Sequence, residues 1–96
     1  MIERITKNEE RLDSSLKCIK ELEIALNNFK KNKNNIRLLN KYYGSKNWFK
    51  DKEAYESNKI EHIKAGVLSE DTIWNMLEEI NDLYKSMQEI IDIKGR

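Results

Sequence analysis

Ninety-six residues suffice for one domain that buries about 60–65% of its unfolded surface, so any core is thin. Aliphatic and aromatic residues make up 39% of the chain and charged residues 36%, with a net charge of +1, the balance of helices with one wet face rather than of a deep interior. The absence of proline and the scarcity of glycine, three in all, exclude the turn punctuation of an all-β fold, and no apolar run reaches the ~18–20 residues needed to cross a bilayer.

The N-terminal segment Met1-Ile2-Glu3-Arg4-Ile5 lacks the basic-then-apolar pattern of a secretory leader, so the protein is expected to remain in the cytoplasm. From Ile2 to Tyr43 apolar residues follow a heptad. Ile5, Leu12, Ile19 and Leu26 fall at one position and Leu22, Phe29, Ile36 and Tyr43 at the other, with Ile2 and Leu16 widening the stripe. This predicts one long helix of ~60 Å. Its weak place is Lys30–Asn35, Lys-Lys-Asn-Lys-Asn-Asn, which has poor helix propensity and sets Lys33 on the stripe. Gly44 is expected to stop the helix in a left-handed conformation.

The middle piece, 45–66, opens on Ser45 as an N-cap and carries Trp48, Phe49 and Tyr55; it reads as a short helix and an irregular connector. The last helix is announced by Gly66-Val67-Leu68-Ser69-Glu70-Asp71. There Ser69 caps, Glu70 and Asp71 meet the positive end of the helix dipole, and Leu68 can staple onto Ile73. Positive φ is expected at both Gly44 and Gly66. The apolar face then runs from Ile73 to about Ile93. The prediction is a single all-α domain over residues 1–96, in which the long helix forms an antiparallel hairpin or small bundle with the short middle helix and the C-terminal helix.

Catalytic groupings are missing from the pattern: no nucleophile has an adjacent base, no glycine-rich loop precedes a helix, and one Cys18 and one His62 make no metal set. Cys18 reads as a half-buried small hydrophobe beside the stripe, and His62 as a connector residue. No enzyme activity, cofactor or metal is expected. The charge is unevenly spread. Between Glu23 and Asp51 there is no acid, while Lys30, Lys31, Lys33, Arg37, Lys41, Lys46 and Lys50 interleave with Phe29, Tyr42, Tyr43, Trp48 and Phe49. From Ser69 to Ile93 seven acids face the single base Lys85. Tyr42, Tyr43, Trp48, Phe49, Lys30, Lys31, Lys33 and Arg37 therefore form the candidate interaction surface, with Gly44, Gly66 and Ser69 as structural positions. The preferred account is that the basic and acidic helices neutralise one another within the fold or across a dimer. The alternative is a surface for nucleic acid.

The segments Tyr42-Tyr43-Gly44-Ser45-Lys46-Asn47-Trp48 and Lys64-Ala65-Gly66-Val67-Leu68-Ser69-Glu70-Asp71, with Asp51, Ala54, Lys59, Asn75 and Leu77, resemble a family of short bacterial proteins catalogued only as a domain of unknown function. The openings Glu10-Arg11-Leu12-Asp13 and Lys20-Glu21-Leu22-Glu23 fit it too. The resemblance implies a helical fold in a bacterial setting and carries over no functional residues. The family tends to a proline near Ile60–Glu61 and to tyrosine where this chain has Trp74. The function expected is a cytoplasmic protein-interaction module, self-associating as a homodimer. A nucleic-acid-binding accessory protein is the runner-up. A secreted helical hairpin comes third, since the Trp-x-Gly turn of such proteins is replaced here by Tyr42-Tyr43-Gly44 and Gln88 stands four residues after Tyr84.

Overall fold

The structure is a computed structural model that describes residues 1–60 and 63–93; His62 lies outside the described residues. It is 86% helical, and no strand occurs among the described residues. The elements are α1 (Ile2–Tyr42), α2 (Lys46–Glu56), a 3-10 turn (Gly66–Leu68) and α3 (Glu70–Asp92). The all-α expectation of a long, a short and a C-terminal helix therefore holds. The chain divides into two compact units, residues 1–36 and 37–96.

In the first unit, α1 stays helical through Lys30–Asn35, where the Asn35 amide donates to Asn32 Oδ1 at 2.9 Å. Asparagine that satisfies its neighbour in this way competes less with the helix backbone. Farther up, Asn8 Nδ2 donates to the Arg4 carbonyl at 2.9 Å and Ser15 Oγ to the Arg11 carbonyl at 2.7 Å. The exposed pairs Lys7–Glu10 and Lys17–Glu21 add a few tenths of a kcal/mol each at most. No residue of α1 is buried.

In the second unit local signals set every boundary. Gly44 takes φ +77°, and the Ser45 amide donates to the Tyr42 carbonyl at 3.0 Å, so α1 closes and the chain turns at once into the next cap. Ser45 is extended, and its Oγ accepts the Trp48 amide at 3.2 Å, opening α2. That helix ends without glycine. Asn58 adopts φ 60°, its amide donates to the Tyr55 carbonyl, and the Lys59 amide reaches the Ala54 carbonyl. This is the paired closure in which a left-handed residue satisfies two orphan carbonyls. Ser69 caps α3 as expected, accepting the Asp71 amide at 3.3 Å. Among the described residues the buried core of this unit is Trp48, Leu68 and Ile73, which places both ends of the anticipated Leu68–Ile73 staple in the interior.

Gly66 corrects the sequence reading. Its φ is not in the left-handed region, it begins a 3-10 turn, and a Cβ built on it meets no atom within 4 Å. Glycine was expected to mark a positive φ there, yet the capping is done by Ser69. Gly44→Ala should therefore lower stability by about 1 kcal/mol through φ strain alone, because space is open around it. Gly66→Ala should be neutral or raise stability by up to about 1 kcal/mol by restricting the unfolded chain. Thermal or urea unfolding of the two variants checks the contrast.

Candidate functional site

The segment from Tyr42 to Trp48 joins the elements of the second unit through side-chain bonds to Asp51, Val67 and Glu70. Because Ser45 caps α2, Trp48 sits in its first turn and is only 3% exposed. Its indole Nε1–H donates to the Val67 carbonyl at 2.8 Å, tying α2 to the 3-10 turn. Tyr43 meets the indole edge to face, with centroids 5.2 Å apart and planes at 73°, and Phe49 does so at 5.0 Å and 77°. Lys52 Nζ lies 5.1 Å from the Trp48 ring centroid, within cation–π range. The Tyr43 hydroxyl donates to the Glu70 carbonyl at 2.8 Å, so a residue just past α1 holds the first turn of α3.

Two charged contacts frame this core. Lys52 Nζ pairs with Glu70 Oε1 at 2.8 Å. That hydrogen bond raises the Lys52 pKa and lowers that of Glu70. The Tyr42 hydroxyl donates to Asp51 Oδ2 at 2.6 Å. Donation to the carboxylate favours the neutral phenol, and with burial and the negative charge of Asp51 it pushes Tyr42 up to about 12. Beside Lys52 an open cleft of about 430 Å³ is lined by Tyr55, Glu56, Leu68, Ser69 and Glu70. Of its polar groups, Ser69 serves as a cap, and Lys52 and Glu70 pair with each other. Among the described residues no group of His, Cys, Asp and Glu could hold a metal ion.

The candidate surface therefore breaks apart. Trp48 is buried rather than displayed, which removes it as a stacking platform, and the hydroxyls of half-buried Tyr42 and Tyr43 are committed inside the fold. Phe49 remains exposed, as do Lys30, Lys31, Lys33 and Arg37. Lys30, Lys31 and Lys33 belong to the first unit and Arg37 to the second. The ion pairs described, Lys7–Glu10, Lys17–Glu21 and Lys52–Glu70, do not involve Lys30, Lys31 or Lys33. Cys18 is exposed rather than half-buried. Asp51, Lys52 and Glu70 were not singled out as partners of the aromatic residues. Asp51 does stand among the residues that carry the family resemblance.

A Tyr42 pKa raised from 10.0 to about 12 means stability fully present below pH ~10 and lost as pH climbs through the folded value. In an ultraviolet titration of tyrosinate, the Tyr42 step should fall near pH 12. Asp51→Asn should bring that step down toward the ordinary value of 10.0, whereas an unchanged step would show that Asp51 does not hold the proton.

No curated protein and no solved structure matches the chain. A family model described as a domain of unknown function, DUF4298, matches residues 5–90. That span takes in the Ser45 and Ser69 caps, Trp48 and Asp51. The chain belongs to the DUF4298 family.

Proposed function

We propose that this protein is a non-enzymatic, cytoplasmic interaction module whose partner is a second copy of itself. One observation carries the reading: the heptad stripe of α1 has no buried member, and Ile2, Ile5, Leu12, Leu16, Ile19, Leu22 and Leu26 are 41–75% exposed. A helix without tertiary burial is marginal in water, because most helical stability in proteins comes from packing an apolar face. Covering these side chains on two copies would contribute on the order of 10 kcal/mol. Association costs about 4–15 kcal/mol, a term of the same size, so the pairing is finely balanced and depends on protein concentration.

A strict seven-residue repeat drifts about 20° per heptad on a straight helix. Over the first unit the stripe therefore winds round the cylinder, and a partner helix can follow it by supercoiling while a flat surface cannot. An exposed free thiol at Cys18 suits a reducing compartment. No described helix is long and apolar enough to cross a membrane. Exposed Lys30, Lys31 and Lys33 favour nucleic acid as the second reading, which burial of Trp48 weakens by removing a base-stacking face.

Sedimentation equilibrium at micromolar concentration should give twice the 11.5 kDa chain mass. Leu12→Glu/Ile19→Glu should return it to one chain mass and reduce helicity, while the buried emission of Trp48 in the second unit persists. A clean monomer for the unmodified chain would end this reading.

A further inference from the structure

We infer that two copies associate through residues 2–28 of α1 as a parallel, in-register coiled coil. This rests on the self-association proposed above and adds the direction of the partner, which the flanking charges and the polar stripe residues decide separately.

Take Ile5, Leu12, Ile19 and Leu26 as the first core position; Asn8, Ser15 and Leu22 then occupy the second. The residues immediately before the first position are Arg4, Arg11, Cys18 and Ala25. Those immediately after the second are Glu9, Leu16 and Glu23, preceded by Ile2. Bases therefore stand on one flank of the stripe and acids on the other. In an antiparallel pair each flank faces its own kind, so Glu9 and Glu23 can meet acids but never a base, and Arg4 and Arg11 never an acid. In a parallel pair each flank faces the opposite one five residues on, which sets Arg4 against Glu9 of the second copy and Glu9 against its Arg4. Arg11 then covers Leu16 with its aliphatic stem, and no like charges oppose one another.

The core positions agree. Parallel, in-register pairing brings each core residue to its own twin. Asn8 then faces Asn8, and an amide is both donor and acceptor, so it can bond its copy. In the chain as folded, Asn8 spends one N–H on the Arg4 carbonyl and accepts from Arg11 Nη1 at 3.2 Å, leaving a second N–H to give. Antiparallel pairing sets the second position against the first, where every residue from Ile5 to Leu26 is Ile or Leu. Asn8 and Ser15 would each be pressed onto an aliphatic side chain, and the spare Asn8 N–H would be desolvated without a partner. A single core asparagine is a known means of fixing register at some cost in stability.

The test is disulfide trapping in a Cys18→Ser background, with chain mass under reducing conditions measured on the same samples. Leu12→Cys and Leu22→Cys, at the two core positions, should each be trapped as a covalent dimer under mild oxidation about tenfold or more faster than a Lys17→Cys control on the outer face, since a facing thiol has millimolar effective concentration. Denaturant should abolish the difference. A non-covalent dimer in which neither variant cross-links, but mixed Leu12→Cys and Ser15→Cys chains do, would overturn the parallel arrangement and leave self-association standing. Monomers under reducing conditions in all variants and in the Cys18→Ser parent would overturn both.

Discussion

The second unit depends on one hydrogen bond, from the buried indole N–H of Trp48 to the carbonyl of Val67 at 2.8 Å. The buried apolar residues described are Trp48, Leu68 and Ile73, too few for hydrophobic burial alone to set how α2, the 3-10 turn and α3 meet. A directional bond inside a low-dielectric site does that, since leaving either group unpaired costs about 1–3 kcal/mol. The surrounding contacts extend the same joint: Tyr43 rests on the indole and reaches the Glu70 carbonyl, and Lys52 lies over the ring while pairing with Glu70. The aromatic segment 42–48 is a structural joint first. Its surface is what remains after Tyr42, Tyr43 and Trp48 have been used.

The first unit meets the opposite constraint. It has helix-forming residues, local side-chain bonds and an apolar stripe, but none of α1 is buried. Local bonds of a few tenths of a kcal/mol each cannot hold a lone helix. On the account proposed here, a second copy supplies the missing face. The two halves of the chain then divide the work: one closes on itself through Trp48, and the other stays open for association.

What was legible in the sequence was local. Ser45, Ser69 and Gly44 signalled their turns because a cap bonds within three residues and a left-handed φ excludes most side chains. Gly66 misled for the same reason: glycine permits positive φ without requiring it, and the nearby serine cap made it unnecessary. Asn58 was passed over although asparagine is the commonest substitute for glycine in that role. The joint itself could not be read off. Tyr42 to Asp51, Tyr43 to Glu70 and Trp48 to Val67 span nine to twenty-seven residues, and whether such groups meet depends on the angles between elements. A basic, aromatic run therefore resembled a binding surface until burial took its indole away.

Amide hydrogen exchange at two protein concentrations separates self-association of α1 from closure of the second unit, because the two units should respond differently. The account predicts that protection of residues 2–28 rises with concentration, as expected for a helix stabilised by its own copy. Protection around Trp48 and the first turns of α3 should not change. Protection of residues 2–28 that is equal at both concentrations, across a range spanning the micromolar, would contradict it.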